Sequence, residues 1–197
     1  MPNPHIDNTD ARILKAAGRV LAQNGFQNAS MRAIAQKAGV SISTLYHRFS
    51  SKQHLINSIL ESVWQDMADG AMAIAEDNNL DPLEKVDAVV DLFIRVFKKR
   101  PQRALVFIRA HQPALHDEND SLKAHYVHFL KSLAAIIQKG IIQNYINSQI
   151  TPEAFALYMY GGMRALLHEW ALNPKAIHLH TLSDSIKYQI KHGILHW

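Results

Sequence analysis

The chain has 197 residues, 48% hydrophobic and 19% charged, a composition that folds into one or two compact domains rather than staying disordered. It contains no cysteine, which excludes disulfide scaffolds, thiolate zinc sites, iron–sulfur clusters and cysteine nucleophiles. The formal net charge is +4, and the excess lies early: the first 60 residues carry seven basic and two acidic side chains, the remainder 14 and 15.

That asymmetry is what results when one module faces a polyanion and the other does not. The first residues show neither a basic n-region nor an apolar h-region, so no secretory signal is expected. No apolar run approaches the ~20 residues of a membrane span. A cytoplasmic location, with no membrane partner, is the expectation.

Apolar positions recur every three to four residues, which predicts an all-α fold of about nine helices. The first is expected over about Thr9–Asn24, with Ile13, Ala16, Ala17, Val20 and Leu21 on one face and Asn24-Gly25 as its stop. A second covers about Met31–Ala38 after the N-cap Ser30, and a third about Ile42–Phe49 after Ser41. A long fourth helix starts near Lys52 and reaches about Asp77. Others are expected near 82–99, 101–111, 119–146, 152–171 and 181–195, with prolines at most of the breaks.

The strongest signal is the segment 30–52. Two short helices meet at Ala38-Gly39-Val40-Ser41, a helix-turn-helix layout. Ala35 is small enough for close helix crossing, and Gly39 suits the positive φ of a tight turn. Val40, Leu45 and Phe49 can pack inward with Ile34. The opposite face then presents Ser43, Thr44, Tyr46 and His47. A helix in the major groove reads base edges with its N-terminal side chains, here Ser41, Ile42 and Ser43, with Ile42 suited to a thymine methyl. Thr44, Tyr46 and His47 have the reach and the hydrogen-bonding groups for phosphates. Lys52, with the free N–H groups opening the fourth helix, suggests an anion site. Ser30 and Arg32, at the start of the second helix, complete the set of DNA-facing candidates.

Several further runs carry a resemblance. They are Ile13-Leu14-Lys15-Ala16-Ala17, Leu21-Ala22-Gln23-Asn24-Gly25-Phe26, Ile34 through Ser41, Thr44 through Phe49, and Ser51-Lys52-Gln53-His54-Leu55. Through them, residues 11–64 resemble the DNA-binding domain of the tetracycline-repressor (TetR) family of bacterial transcription regulators. The resemblance aligns Tyr46 and Lys52 with positions that contact the DNA backbone. It departs at Ser43, where glycine or proline is frequent, and at Ile42, where polar residues are frequent, so operator sequence does not transfer.

The resemblance implies a DNA-binding domain over 1–52 and a helical domain over 53–197 that dimerises and binds a small-molecule effector. The implied function is a ligand-responsive regulator, a repressor that binds a near-palindromic operator as a homodimer and is released by a lipophilic effector. The residues add support for dimerisation. The helix near 152–171 is apolar almost all round and must be covered on two sides. Phe155, Gly162, Leu166 and Trp170 from it, with Leu182, Ile186 and Ile190 from the last helix, are the candidate interface. Effector-pocket candidates come from several helices: Trp64 and Met67, Phe93 and Phe97, Phe107, Tyr126 and Phe129, and Tyr158 with Met159. Arg109, His125 and His128 are candidate polar anchors, and an inward Arg109 would favour an anionic head group.

No enzyme or metal site is expected. The chain has no Walker A, GxGxxG, GxSxG or HExxH pattern. The pairs His125/His128 and His192/His196 have metal-compatible helical spacing but no third ligand nearby. No cofactor is implied. The alternative function is a helical protein–protein interaction module without specific DNA binding, which would leave the residue choice in 30–52 without a reason.

Overall fold

The computed structural model describes residues 8–98, 101–116 and 120–194. The fold is all-α, with nine helices among those residues: α1 Asn8–Asn28, α2 Met31–Ala38, α3 Ile42–Arg48, α4 Lys52–Glu76, α5 Pro82–Lys98, α6 Pro101–His116, α7 Asp120–Ile142, α8 Pro152–Leu172 and α9 Leu179–Ile194. His196, one of the paired histidines, lies outside the described residues.

Local chemistry sets most boundaries. The α1 ladder breaks at Gly25, whose φ of 74° and ψ of 166° are non-helical, and one further turn carries the chain to Asn28. Ser30 Oγ accepts from Ala33 N to cap α2. Gly39 closes α2 in the left-handed region, and Val40 N reaches back to the Ala35 carbonyl at 3.1 Å. Ser41 and Ser51 cap α3 and α4 in the same way as Ser30 caps α2. At α5 the box is reciprocal: Asp81 accepts from Leu83 N and Glu84 N, and Glu84 accepts from Asp81 N.

Two boundaries differ from the sequence expectation. Helix α6 runs through Pro113 to His116 instead of stopping near 111. A proline removes only its own bond to the carbonyl four residues back, so near a helix end the loss is small. Helix α7 stops at Ile142 rather than 146, because Asn144 adopts a left-handed φ of 60°. Tyr145 N and Ile146 N then both donate to the Gly140 carbonyl. Ile146 is thereby folded into the core beside Gly140.

The helices α1, α2 and α3 pack around Ile13, Ala17, Leu21, Ile34 and Leu45, all buried. The second layer is organised by α4, which contacts α1 near its start and α5, α6 and α7 along its length. Helix α8 lies against α6 and α7, and α9 against α5. Trp64 is the hub of this layer, with ring centroids 5.4 Å from Phe107, 5.1 Å from Tyr126, 5.9 Å from Phe129 and 5.6 Å from Tyr160. Among the described residues, no helix is long and apolar enough to cross a membrane.

Candidate nucleic-acid interface

Helix α3 has two unlike faces. Leu45 is fully buried and Phe49 almost so, anchoring the helix against α1 and α2. Turned away from them, Ile42, Ser43, Tyr46 and His47 are exposed, with Tyr46 51% accessible. These positions fall at i, i+1, i+4 and i+5, one side of a helix. Thr44 is half-buried at the edge of that side. Arg32 is exposed at the start of α2.

The two serines act first as caps. Ser30 Oγ accepts from Ala33 N, and Ser41 Oγ accepts from Thr44 N and lies 2.7 Å from Thr44 Oγ1. Each shapes the helix start, which is how it bears on presentation of the exposed face.

Lys52, the candidate anion contact, is half-buried at the start of α4. Its ammonium donates to the carbonyls of Phe26 at 2.6 Å, Ala29 at 3.1 Å and Gln27 at 3.4 Å. The three protons are directed into the protein, where they satisfy carbonyls left free by the end of α1.

The sequence reading missed two residues that hold α3 in place. Arg12 Nη2 donates to Ala38 O at 2.8 Å and Gly39 O at 3.1 Å, clamping the turn between α2 and α3. Arg48 pairs with Asp10 at 2.7 Å, tying the end of α3 to the first turn of α1. Both contacts join residues at least 26 positions apart, so no local pattern signals them.

The pocket candidates separate into two groups. Trp64, Met67, Phe93, Phe97, Phe107, Phe129 and Met159 are all buried. Arg109 is exposed on α6, and Tyr158 is 72% accessible on α8, so neither joins that interior. His125 is half-buried on α7. Arg109 thus gives no inward anchor for an anionic head group. Polar groups enter the aromatic cluster at Tyr126, and at Tyr160 and Arg164, which the sequence did not single out. Burial raises the pKa of Tyr126 and drives that of Tyr160 far above the phenol range. The Arg164 Nε, beside Tyr160, is buried with no acceptor among the described residues.

The interface candidates divide similarly. Trp170 and Ile190 are buried within the protomer. Leu166, Leu182 and Ile186 are half-buried and line a shallow groove with Val90 and Phe93 of α5. Phe155 is half-buried and Gly162 exposed. Helix α9 packs on α5. The open side of α8 is instead Leu157, Tyr158, Gly161, Gly162, Ala165 and Leu172, all exposed. A Cβ added at Gly161 or Gly162 would meet nothing within 4 Å. No group of three or more His, Asp or Glu side chains able to hold a metal occurs among the described residues.

Comparison with known proteins agrees with this geometry. Residues 13–59, which span α2, α3 and parts of α1 and α4, match the model of "Bacterial regulatory proteins, tetR family". The HTH-type transcriptional regulator UidR of Escherichia coli strain K12 is 36% identical over 100 residues, 50% of this chain and 48% of that protein. The match thus spans about half the length of that curated relative. Two solved structures share the fold over nearly the whole chain. KstR2 of Mycobacterium tuberculosis, a ketosteroid transcriptional regulator, superposes with a TM-score of 0.82 at 15% identity, covering 98% of each chain. FadR of Bacillus subtilis, in complex with stearoyl-CoA, gives 0.75 at 23% identity, covering 93% of this chain and 98% of its own.

Proposed function

We infer that this chain, a member of the bacterial tetR family of regulatory proteins, is a ligand-responsive DNA-binding transcription regulator, and specifically a repressor. In this reading the part up to residue 52 binds operator DNA, and the part from 53 binds the effector and dimerises. The observation that carries the reading is the polar, uncovered side of α3, with Ser43, Tyr46 and His47 exposed while Leu45 is fully buried. A short helix anchored on one side and bare on the other fits a major groove.

The bare side of α8 supports dimerisation. Leu157, Tyr158 and Leu172 are each more than half exposed along one line of that helix. An apolar line of this kind is the usual mark of a protein interface. A second copy related by a twofold axis buries the same line on both protomers. Two α3 helices then meet half-sites about 34–36 Å apart on a near-palindrome.

The effector is lipophilic in this reading. Its site is the aromatic cluster around Trp64, where Tyr160 and Arg164 supply the polar contacts. That a protein of the same fold holds stearoyl-CoA is consistent with such a ligand. The action is cytoplasmic, at the operator.

Selection of bound sites from random duplexes tests the proposal. The full chain should enrich a near-palindromic sequence, and its affinity should fall steeply as salt rises. Lipophilic candidates added to the bound complex should release it. Failure to bind any duplex in dilute buffer rejects the reading and leaves the helical interaction module.

A further inference from the structure

Away from the aromatic cluster, a cleft of about 430 Å³ opens between α1, α4 and α6. Its volume lies within the range of small-molecule sites. Four cations, Arg12, Lys15, Arg19 and Arg103, line it, and among the described residues no Asp or Glu does. The cations differ in their engagement. Arg12 is held by the α2–α3 turn, and Arg103 by Ser62 and Asp66. Lys15 and Arg19 have no hydrogen-bond or ion-pair partner among the described residues, although both are exposed into the same cleft. Between the charges the wall is apolar, formed by Leu14 and Ile59.

Gly18 sits in the same wall, in the interior of α1. A Cβ added there would meet nothing within 4 Å. Alanine would fit without a clash and would favour the helix by about 0.5–1 kcal/mol. The glycine instead keeps the cleft one side chain wider.

We propose that this cleft is a binding site for an amphiphilic organic anion, a carboxylate or phosphate bearing a short hydrocarbon body. The anionic group pairs with Lys15 and Arg19, and the hydrocarbon lies on Leu14 and Ile59 past Gly18. The pairing neutralises two like charges that stand one helical turn apart on α1. The site is separate from the cluster around Trp64, and its binding is read in the absence of DNA.

Titration calorimetry of the full chain with octanoate, octyl phosphate, octanol and inorganic phosphate tests it. Octanoate or octyl phosphate should bind, more weakly as salt rises, and octanol and inorganic phosphate at least roughly tenfold more weakly, a change each lost charge pair or apolar contact can supply. The double variant Lys15→Gln/Arg19→Gln should lose about tenfold in affinity for the amphiphiles and keep its melting temperature. Gly18→Leu, which leaves the charges untouched, should also weaken binding. The variant Lys37→Gln, which removes an exposed charge of α2 outside the cleft, should bind as the parent does. Absence of amphiphile binding by the parent overturns the proposal. So does binding unchanged in both cleft variants, which places the ligand elsewhere, or inorganic phosphate binding as tightly as octanoate.

Discussion

The Lys52 ammonium donates to the Phe26 carbonyl at 2.6 Å, so the first residue of α4 fastens the last turn of α1. Hydrogen bonds from a charged donor are worth about 1.5–3 kcal/mol. Lys52→Met should therefore lower stability by roughly 1–3 kcal/mol, read as a drop in the urea midpoint. The salt dependence of duplex binding should keep its slope, because the ammonium is already engaged. A slope reduced by about one charge, with stability intact, would place Lys52 on a phosphate instead.

Tyr46 is half exposed on the uncovered side of α3, where its hydroxyl is free to reach a phosphate. Tyr46→Phe should weaken specific and nonspecific duplexes alike, by about 1 kcal/mol or several-fold, without altering the salt slope. Ser43→Ala should instead change the preferred bases. A mobility-shift series over two salt concentrations and two sequences separates the outcomes, and unchanged affinity for Tyr46→Phe removes the residue from the interface.

Gly162 faces open space on α8. Gly162→Trp should leave the fold of one protomer intact, since a Cβ at this position meets nothing within 4 Å. In sedimentation equilibrium it should yield monomers with a parent-like circular dichroism spectrum. A dimer of parental strength places the interface away from this side of α8.

Tyr160 is held protonated by burial, well beyond the ordinary value of 10.0. Above about pH 10 the unfolded chain releases this proton and the folded chain keeps it. Stability from this group is therefore constant below that pH and is lost as the pH climbs past it, with a limiting slope of about 1.4 kcal/mol per unit. Lys85, whose pKa burial lowers, acts in the opposite sense but is common to both proteins. Urea midpoints of parent and Tyr160→Phe from pH 8 to 11 should converge at the alkaline end. Parallel curves would mean the phenol titrates alike in both states.

Local signals explain what was legible in the sequence. Ser30, Ser41 and Ser51 cap the helices they precede, Gly39 ends α2, and the prolines open α5, α6 and α8. Each acts within four residues, so the helices and the exposed side of α3 could be read directly. The directions of isolated side chains could not. Lys52 finds carbonyls 23 to 26 positions earlier, and Arg12 a turn 26 positions later. Helix α8 is apolar on every side, so its pattern does not distinguish the side holding Trp170 from the side showing Tyr158. Nor does composition tell an inward Arg109 from an outward one; the cation beside the aromatic cluster is Arg164.

Helix α4 is unbroken over 25 residues, from the fastening at Lys52 to Glu76. At 1.5 Å per residue it is a rigid lever about 37 Å long. Tilting it by about 5° around its far end swings the near end through about 3 Å. In the proposed dimer, a swing of that size at the near end of α4 would change the separation of the two α3 helices across their half-sites.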